Sequence, residues 1–203
     1  MTTLRADARR NREKILAAAR ELFRERGTAV AFDDIARRAG VGIGTLYRRF
    51  PDRESLIRDV TVEGFESGLA ALDAARAAGG GPMAVLEEVF RRIVEQRDHL
   101  VMPLIGGPVL HDERVQELQR AIVDALAQVL EDGRAQGEVR ADVGPFDLIT
   151  AAAMVCRPMP HLPKEAAQAL AARHTAVYLH GLRPAGARPL PPAGDPSAHL
   201  AMD

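Results

Sequence analysis

Apolar residues recur along most of this chain at the 3.6-residue period of a helix, and nowhere with the alternation of a half-buried strand. Ile15, Ala19, Leu22 and Phe23 fall at i, i+4, i+7 and i+8, one stripe of a first helix. Gly27 follows where a left-handed C-terminal cap is wanted. A short helix is predicted over about 33–39, with Asp33 and Asp34 at its positive end and Gly40 as its breaker. A second short helix is predicted over about 43–50, stopped by Pro51. A long helix over about 53–77 buries Leu56, Ile57, Val60, Phe65, Leu69 and Leu72. Gly79, Gly80 and Gly81 break it, and Pro82 suits the first position of the next helix. That helix carries Val85, Leu86, Val89, Phe90, Ile93 and Val94.

The segment from Met102 to Pro108 is apolar but holds two Pro and two Gly, so no regular helix fits it. It reads equally as a lid, a hinge or a plain connection. Helices are predicted again over about 113–135, 145–155 and 164–182. Five prolines follow from Pro184 on, and the tail 184–203 reads as disordered. The chain is therefore expected to be all-α, with about nine helices. Residues 1–52 form a small three-helix unit and 53–183 a larger helical body.

The informative stretch is Phe32 to Pro51, where two short helices meet at a Gly-containing turn, a helix-turn-helix. Ile35 and Ala36 face the core of the small unit, and Gly40 takes the positive φ of the turn without a Cβ clash. Leu46 and Phe50 bury one side of the second short helix at i and i+4. Ile43, Gly44, Thr45, Tyr47, Arg48 and Arg49 are left pointing outward. Such a set suits a major-groove reader. Gly44 lets backbone approach, hydroxyls meet phosphate oxygens, and arginines reach phosphates or guanine edges. Arg9, Arg10, Arg12 and Lys14 could reach flanking backbone or the minor groove from the first helix. Arg53, at the start of the long fourth helix, could meet a phosphate together with the helix N-terminus.

Charge sharpens this picture. The net charge of −1 conceals 14 Lys and Arg against 9 Asp and Glu in residues 1–60, a balance of +5, and −6 in the remainder. A basic module on an acidic body suits a polyanion partner. Aromatic residues are 4% with no Trp, which argues against aromatic platforms for single strands. One cysteine, Cys156, excludes a disulfide framework, and a reducing cytoplasm is the expected compartment. No run of about 18 apolar residues occurs, and the N-terminus lacks the apolar core of a secretory signal, so no membrane partner is expected.

The body offers apolar walls for a small ligand: Phe65, Leu69, Phe90, Ile93, Met102, Leu104, Leu118, Ile122 and Met154. Each could equally be plain core. The helices over 145–155 and 164–182 carry Ile149, Ala152, Ala153, Leu170, His174, Val177 and Tyr178. Their small residues permit a four-helix bundle between two subunits. The histidines are dispersed without helical metal-site spacing, so no metal or cofactor is expected. No nucleophile elbow or phosphate loop is present, so the chain is not expected to be an enzyme.

The residues Ile15-Leu-Ala-Ala-Ala, Leu22-Phe, Gly27, Asp34-Ile-Ala-Arg-Arg-Ala-Gly-Val and Gly44-Thr-Leu-Tyr-Arg-Arg-Phe-Pro-Asp-Arg-Glu-Ser-Leu56 together resemble the DNA-binding domain of TetR/AcrR-type transcriptional regulators. The match spans roughly 9–57; beyond it only helix number and length agree. The resemblance implies a homodimer that binds a palindromic operator and is released, as a repressor, by a small apolar ligand. It implies phosphate contacts from Thr45 and Tyr47, base contacts from Ile43, Gly44 and Arg48, and backbone contacts from Arg49 and Arg53. The chain departs from the pattern at Ala31 and Gly42, where capping side chains are usual, and at apolar Ile43. The rival reading is a ligand-binding helical protein with a non-functional helix-turn-helix.

Overall fold

The protein is described by a computed structural model covering residues 2–97, 111–184, 186 and 188–192. Among them run eight helices and no strand, close to the nine expected. They are α1 (Thr2–Arg26), α2 (Phe32–Ala39), α3 (Ile43–Arg49), α4 (Arg53–Ala77), α5 (Pro82–Gln96), α6 (Glu113–Ala135), α7 (Pro145–Val155) and α8 (Lys164–Gly181). The segment from Met102 to Pro108, and with it two of the expected pocket residues, Met102 and Leu104, lies outside the described residues. No described helix is long and apolar enough to cross a membrane.

Local chemistry sets most of the boundaries. Asp52 caps α4 by accepting from Ser55 N at 2.7 Å, and that bond from the backbone holds its carboxyl below the usual carboxylate range. Asp112 caps α6 in the same way, accepting from Val115 N at 3.1 Å. Pro82 and Pro145 open α5 and α7, where a missing N–H costs nothing. By contrast, α2 and α3 begin at Ala31 and Gly42 with no side-chain cap. Helices of eight and seven residues are too short to persist alone, so burial has to hold them.

That burial comes from two cores. The first gathers Ile15, Leu16 and Leu22 of α1, Phe32 and Ile35 of α2, Leu46 of α3, Phe50, and Leu56, Ile57 and Val60 of α4. Val115 of α6 also enters it. The second joins Leu72 and Ala75 of α4 to Leu86 and Phe90 of α5, Leu126 and Leu130 of α6, Leu148 and Ala152 of α7, and Leu179 of α8. Each fully buried leucine contributes about 1.5–3 kcal/mol. The first turns of α4 thus belong to the small unit, and the two parts share this helix rather than meeting at residue 53. On α4, Gly68 lets α6 come close: a Cβ there would lie 3.3 Å from Ile122 Cδ1.

The start of the tail differs from the disordered segment expected. Leu190 N donates to Asp142 Oδ2 at 2.8 Å, and Arg140 donates to the Arg188 carbonyl. Arg140 also grips Asp142 through Nε at 2.5 Å and Nη2 at 2.8 Å. Small polar and proline-rich sequence carries no apolar period, so a backbone tether of this kind leaves no trace in it.

Candidate nucleic-acid interface

The turn between α2 and α3 fixes how α3 is presented. Gly40 sits at φ 65°, ψ 34°, the left-handed region a side chain resists. Val41 N then donates to Ala36 O at 3.0 Å, and the Val41 side chain packs on the first core. Leu46 and Phe50 are 0% and 1% exposed, so one side of α3 is anchored in that core. The opposite side is open: Gly44, Arg48 and Arg49 are exposed, Ile43 is 37% and Tyr47 52% exposed, and Thr45 is half-buried. All six residues assigned to the outward face from sequence are thus brought together there.

Charge pairing separates α3 from its surroundings. Elsewhere in this unit carboxylates answer most of the arginines. Arg9 meets Glu13 at 3.5 Å, Arg26 meets Asp34 at 3.5 Å, and Arg38 meets Glu21 at 2.8 Å. Arg37 also pairs with Asp34, and Arg10, though exposed, with Asp7. Among the described residues Arg48 and Arg49 have no carboxylate partner. Arg48 Nη2 donates to Thr45 Oγ1, at 3.2 Å. An exposed helix face carrying two uncompensated guanidiniums, two hydroxyls and a bare glycine can accept a phosphate backbone and place donors against base edges.

Two residues expected to contact DNA are used inside the protein instead. Arg12 is half-buried against α4, with Nη2 at 3.0 Å from Asp59 Oδ2 and Nη1 at 2.9 Å from Glu63 Oε1. Arg20 joins it by donating to Glu63 at 2.5 Å. Sequence reasoning missed this network, although the i, i+4 carboxylates Asp59 and Glu63 and the two-turn spacing of Arg12 and Arg20 were its visible signal. Arg53 is half-buried as well, and its Nη1 donates to the carbonyls of Thr28 and Val30, each at 2.6 Å.

In the body, the expected pocket residues divide. Phe65 packs on the first core, and Phe90, Ile93 and Ile122 belong to the second. Leu118 is buried and Leu69 half-buried. Met154, expected as a pocket wall, is 54% exposed. The residues expected at a dimer face divide too. Leu170, His174 and Val177 form an exposed row on α8, and Ala153 is half-buried. Ala152 is only 4% exposed, Ile149 and Tyr178 pack on the second core, and the Tyr178 ring lies 5.7 Å from that of Phe90. The physical reason is that α8 turns Ala167, Ala171, Thr175 and Leu179 inward, and Tyr178 borders that row. The hydroxyls of Tyr178 and Thr175 are buried there with no hydrogen-bond partner among the described residues.

The architecture and the open α3 define a helix-turn-helix regulator, a basic reading unit mounted on a helical body. Comparison with known proteins agrees in both parts. The profile described as bacterial regulatory proteins of the tetR family matches residues 15–60, and that of the SbtR-like transcriptional regulator C-terminal domain matches 81–184. The chain belongs to the TetR family of transcriptional regulators. A TetR transcriptional regulator of Streptomyces coelicolor is 30% identical over 86% of this chain and 99% of its own, with a TM-score of 0.57. A TetR regulatory protein of Mycobacterium vanbaalenii is 30% identical over 89% of this chain and 99% of its own, with a TM-score of 0.59. An HTH-type transcriptional regulator of Staphylococcus aureus strain USA300 is 43% identical over 54 residues, a match spanning 26% of this chain and 29% of that relative.

Proposed function

We propose that the protein is a cytoplasmic homodimeric repressor that holds a palindromic operator and leaves it when a small apolar ligand binds the body. The observation carrying the DNA reading is the pair Arg48 and Arg49, exposed and without carboxylate partners among the described residues, on a helix face anchored from behind by Leu46 and Phe50. Two such helices, one per subunit, enter successive major grooves about 34–36 Å apart. Arg48 reads a guanine edge and Ile43 meets a thymine methyl, while Gly44 allows close approach. Thr45, Tyr47 and Arg49 hold phosphates, with Arg10 reaching flanking backbone. Arg12 and Arg53 are given no direct contact.

The ligand site lies among Phe65, Leu69, Phe90, Ile93, Leu118 and Ile122, and Tyr178 adds a hydroxyl at its margin. The ligand acts by its differential affinity for two conformations, typically 1–3 kcal/mol of coupling. Leu170, His174 and Val177, with Ala153 and Met154, form the dimer face. Duplexes selected from a random pool by wild type and by Arg48→Ala test the base reading. The variant is expected to lose preference at one base of each half-site, at a cost of about 1–3 kcal/mol per contact. An unchanged selected sequence would contradict the assignment of Arg48.

A further inference from the structure

We infer that Arg53 is a positioning residue for DNA binding, one that sets the placement of Tyr47 on α3 through the ring of Phe32. The inference rests on the reading of α3 as the DNA-contacting helix. Arg53 is the first residue of α4, yet its side chain reaches back across the chain. The two hydrogens of Nη1 serve the carbonyls of Thr28 and Val30, in the link between α1 and α2, at 2.6 Å each. Its guanidinium carbon also stands 5.6 Å from the centroid of the Phe32 ring. That ring is 6% exposed, and its centroid lies 5.3 Å from that of Tyr47 at an angle of 51°. Tyr47 is 52% exposed on the outward side of α3. One side chain therefore ties the start of α4 to the start of α2, and a ring contact carries the tie to the recognition face.

The sequence has a reason to need this tie. Ala31 gives α2 no side-chain cap, and Gly42 gives α3 none. The backbone just ahead of α2 is instead held from outside, at Val30, by Arg53. The Arg53 guanidinium bonds two carbonyls through Nη1 while its carbon stands over the Phe32 ring, and a lysine ammonium has hydrogens to donate but no plane to lay against a ring. A lysine keeps the charge but loses that geometry. A direct phosphate contact would register instead in the salt slope, which Arg53→Lys keeps and Arg53→Met loses.

The contrast gives the test. The chain holds two tyrosines and no Trp, so the ring resonances of Tyr47 and Tyr178 can be followed separately by NMR in the full-length protein. In Arg53→Lys the Tyr47 resonances are expected to shift and those of Tyr178 to stay, and Phe32→Leu should move Tyr47 likewise. On a duplex selected by the wild type, Arg53→Lys and Arg53→Met should both bind about tenfold more weakly, the loss when the competent arrangement falls to about a tenth of the population. Their salt dependence should match the wild type. In a Tyr47→Ala background, Arg53→Lys should cost no further affinity. Tyr47 resonances that stay put overturn the inference. So does an Arg53→Lys variant binding like wild type while Arg53→Met loses about 1.8 in salt slope per dimer, because Arg53 is then a phosphate contact. A wild-type chain that binds no duplex at any salt overturns the DNA reading itself and this consequence with it.

Discussion

Cys156 shows how far a single position is governed by its surroundings. It closes α7, is 6% exposed, and burial pushes its thiol up to about 11 despite the nearby Arg97 guanidinium. The thiolate is the reactive form, so a raised value means a quiet thiol. Alkylation by iodoacetamide at pH 8 should be about a hundredfold slower in the native protein than in urea, and should rise as pH approaches 11. Stability carries the same sign: burial of the neutral thiol favours folding below the unfolded value, and that contribution is lost as pH rises through about 11. Equal alkylation rates in the native and unfolded chain would place the thiol at the surface. Arg97, about sixty residues earlier in the chain, holds the backbone on either side of Cys156 by donating from Nε and Nη2 to the carbonyls of Val155 and Arg157.

At the scale of elements, the helices were legible and their pairings were not. Gly27, Gly40, Pro51, Pro82 and Pro145 punctuate the chain, and Asp52 and Asp112 cap α4 and α6, so α4 through α7 begin where local chemistry puts them. Arginine on a helix carries no such mark. Arg12 and Arg48 look alike in sequence; only the packing of α1 on α4 brings Asp59 and Glu63 to one and leaves the other open. The outward face of α3 could be read because Leu46 and Phe50 pin its inward side. On α8 the inward row is the small one, Ala167, Ala171 and Thr175, so apolarity alone misplaces Tyr178. Arg12→Met should lower stability by about 1–2 kcal/mol, between the values of exposed and fully buried pairs, and leave the salt slope of duplex binding unchanged. Thermal unfolding and a salt titration check both halves; a shallower slope would return Arg12 to the DNA contacts.

For the whole molecule, the proposed assembly depends on the exposed face of α7 and α8. Val177 is 66% and Leu170 48% exposed, next to His174 on one row of α8, and Met154 at the end of α7 is 54% exposed. Large apolar side chains exposed on α7 and α8 suit a self-complementary contact between two copies. Val177→Glu should give a monomer by sedimentation while helix content stays that of the wild type. A dimer that survived both this change and Leu170→Glu would place the contact elsewhere. Monomers should also bind a palindrome far more weakly, because only a joined pair engages two half-sites at once.

The most direct measurement is the slope of log affinity against log salt for wild type and Arg49→Ala on the same selected duplex. Steep salt dependence is expected for the wild type, and a slope shallower by about 1.8 for the variant, one phosphate lost at each of two half-sites. Identical slopes, or a wild-type affinity that ignores salt, would contradict the reading of α3 as the helix that grips DNA.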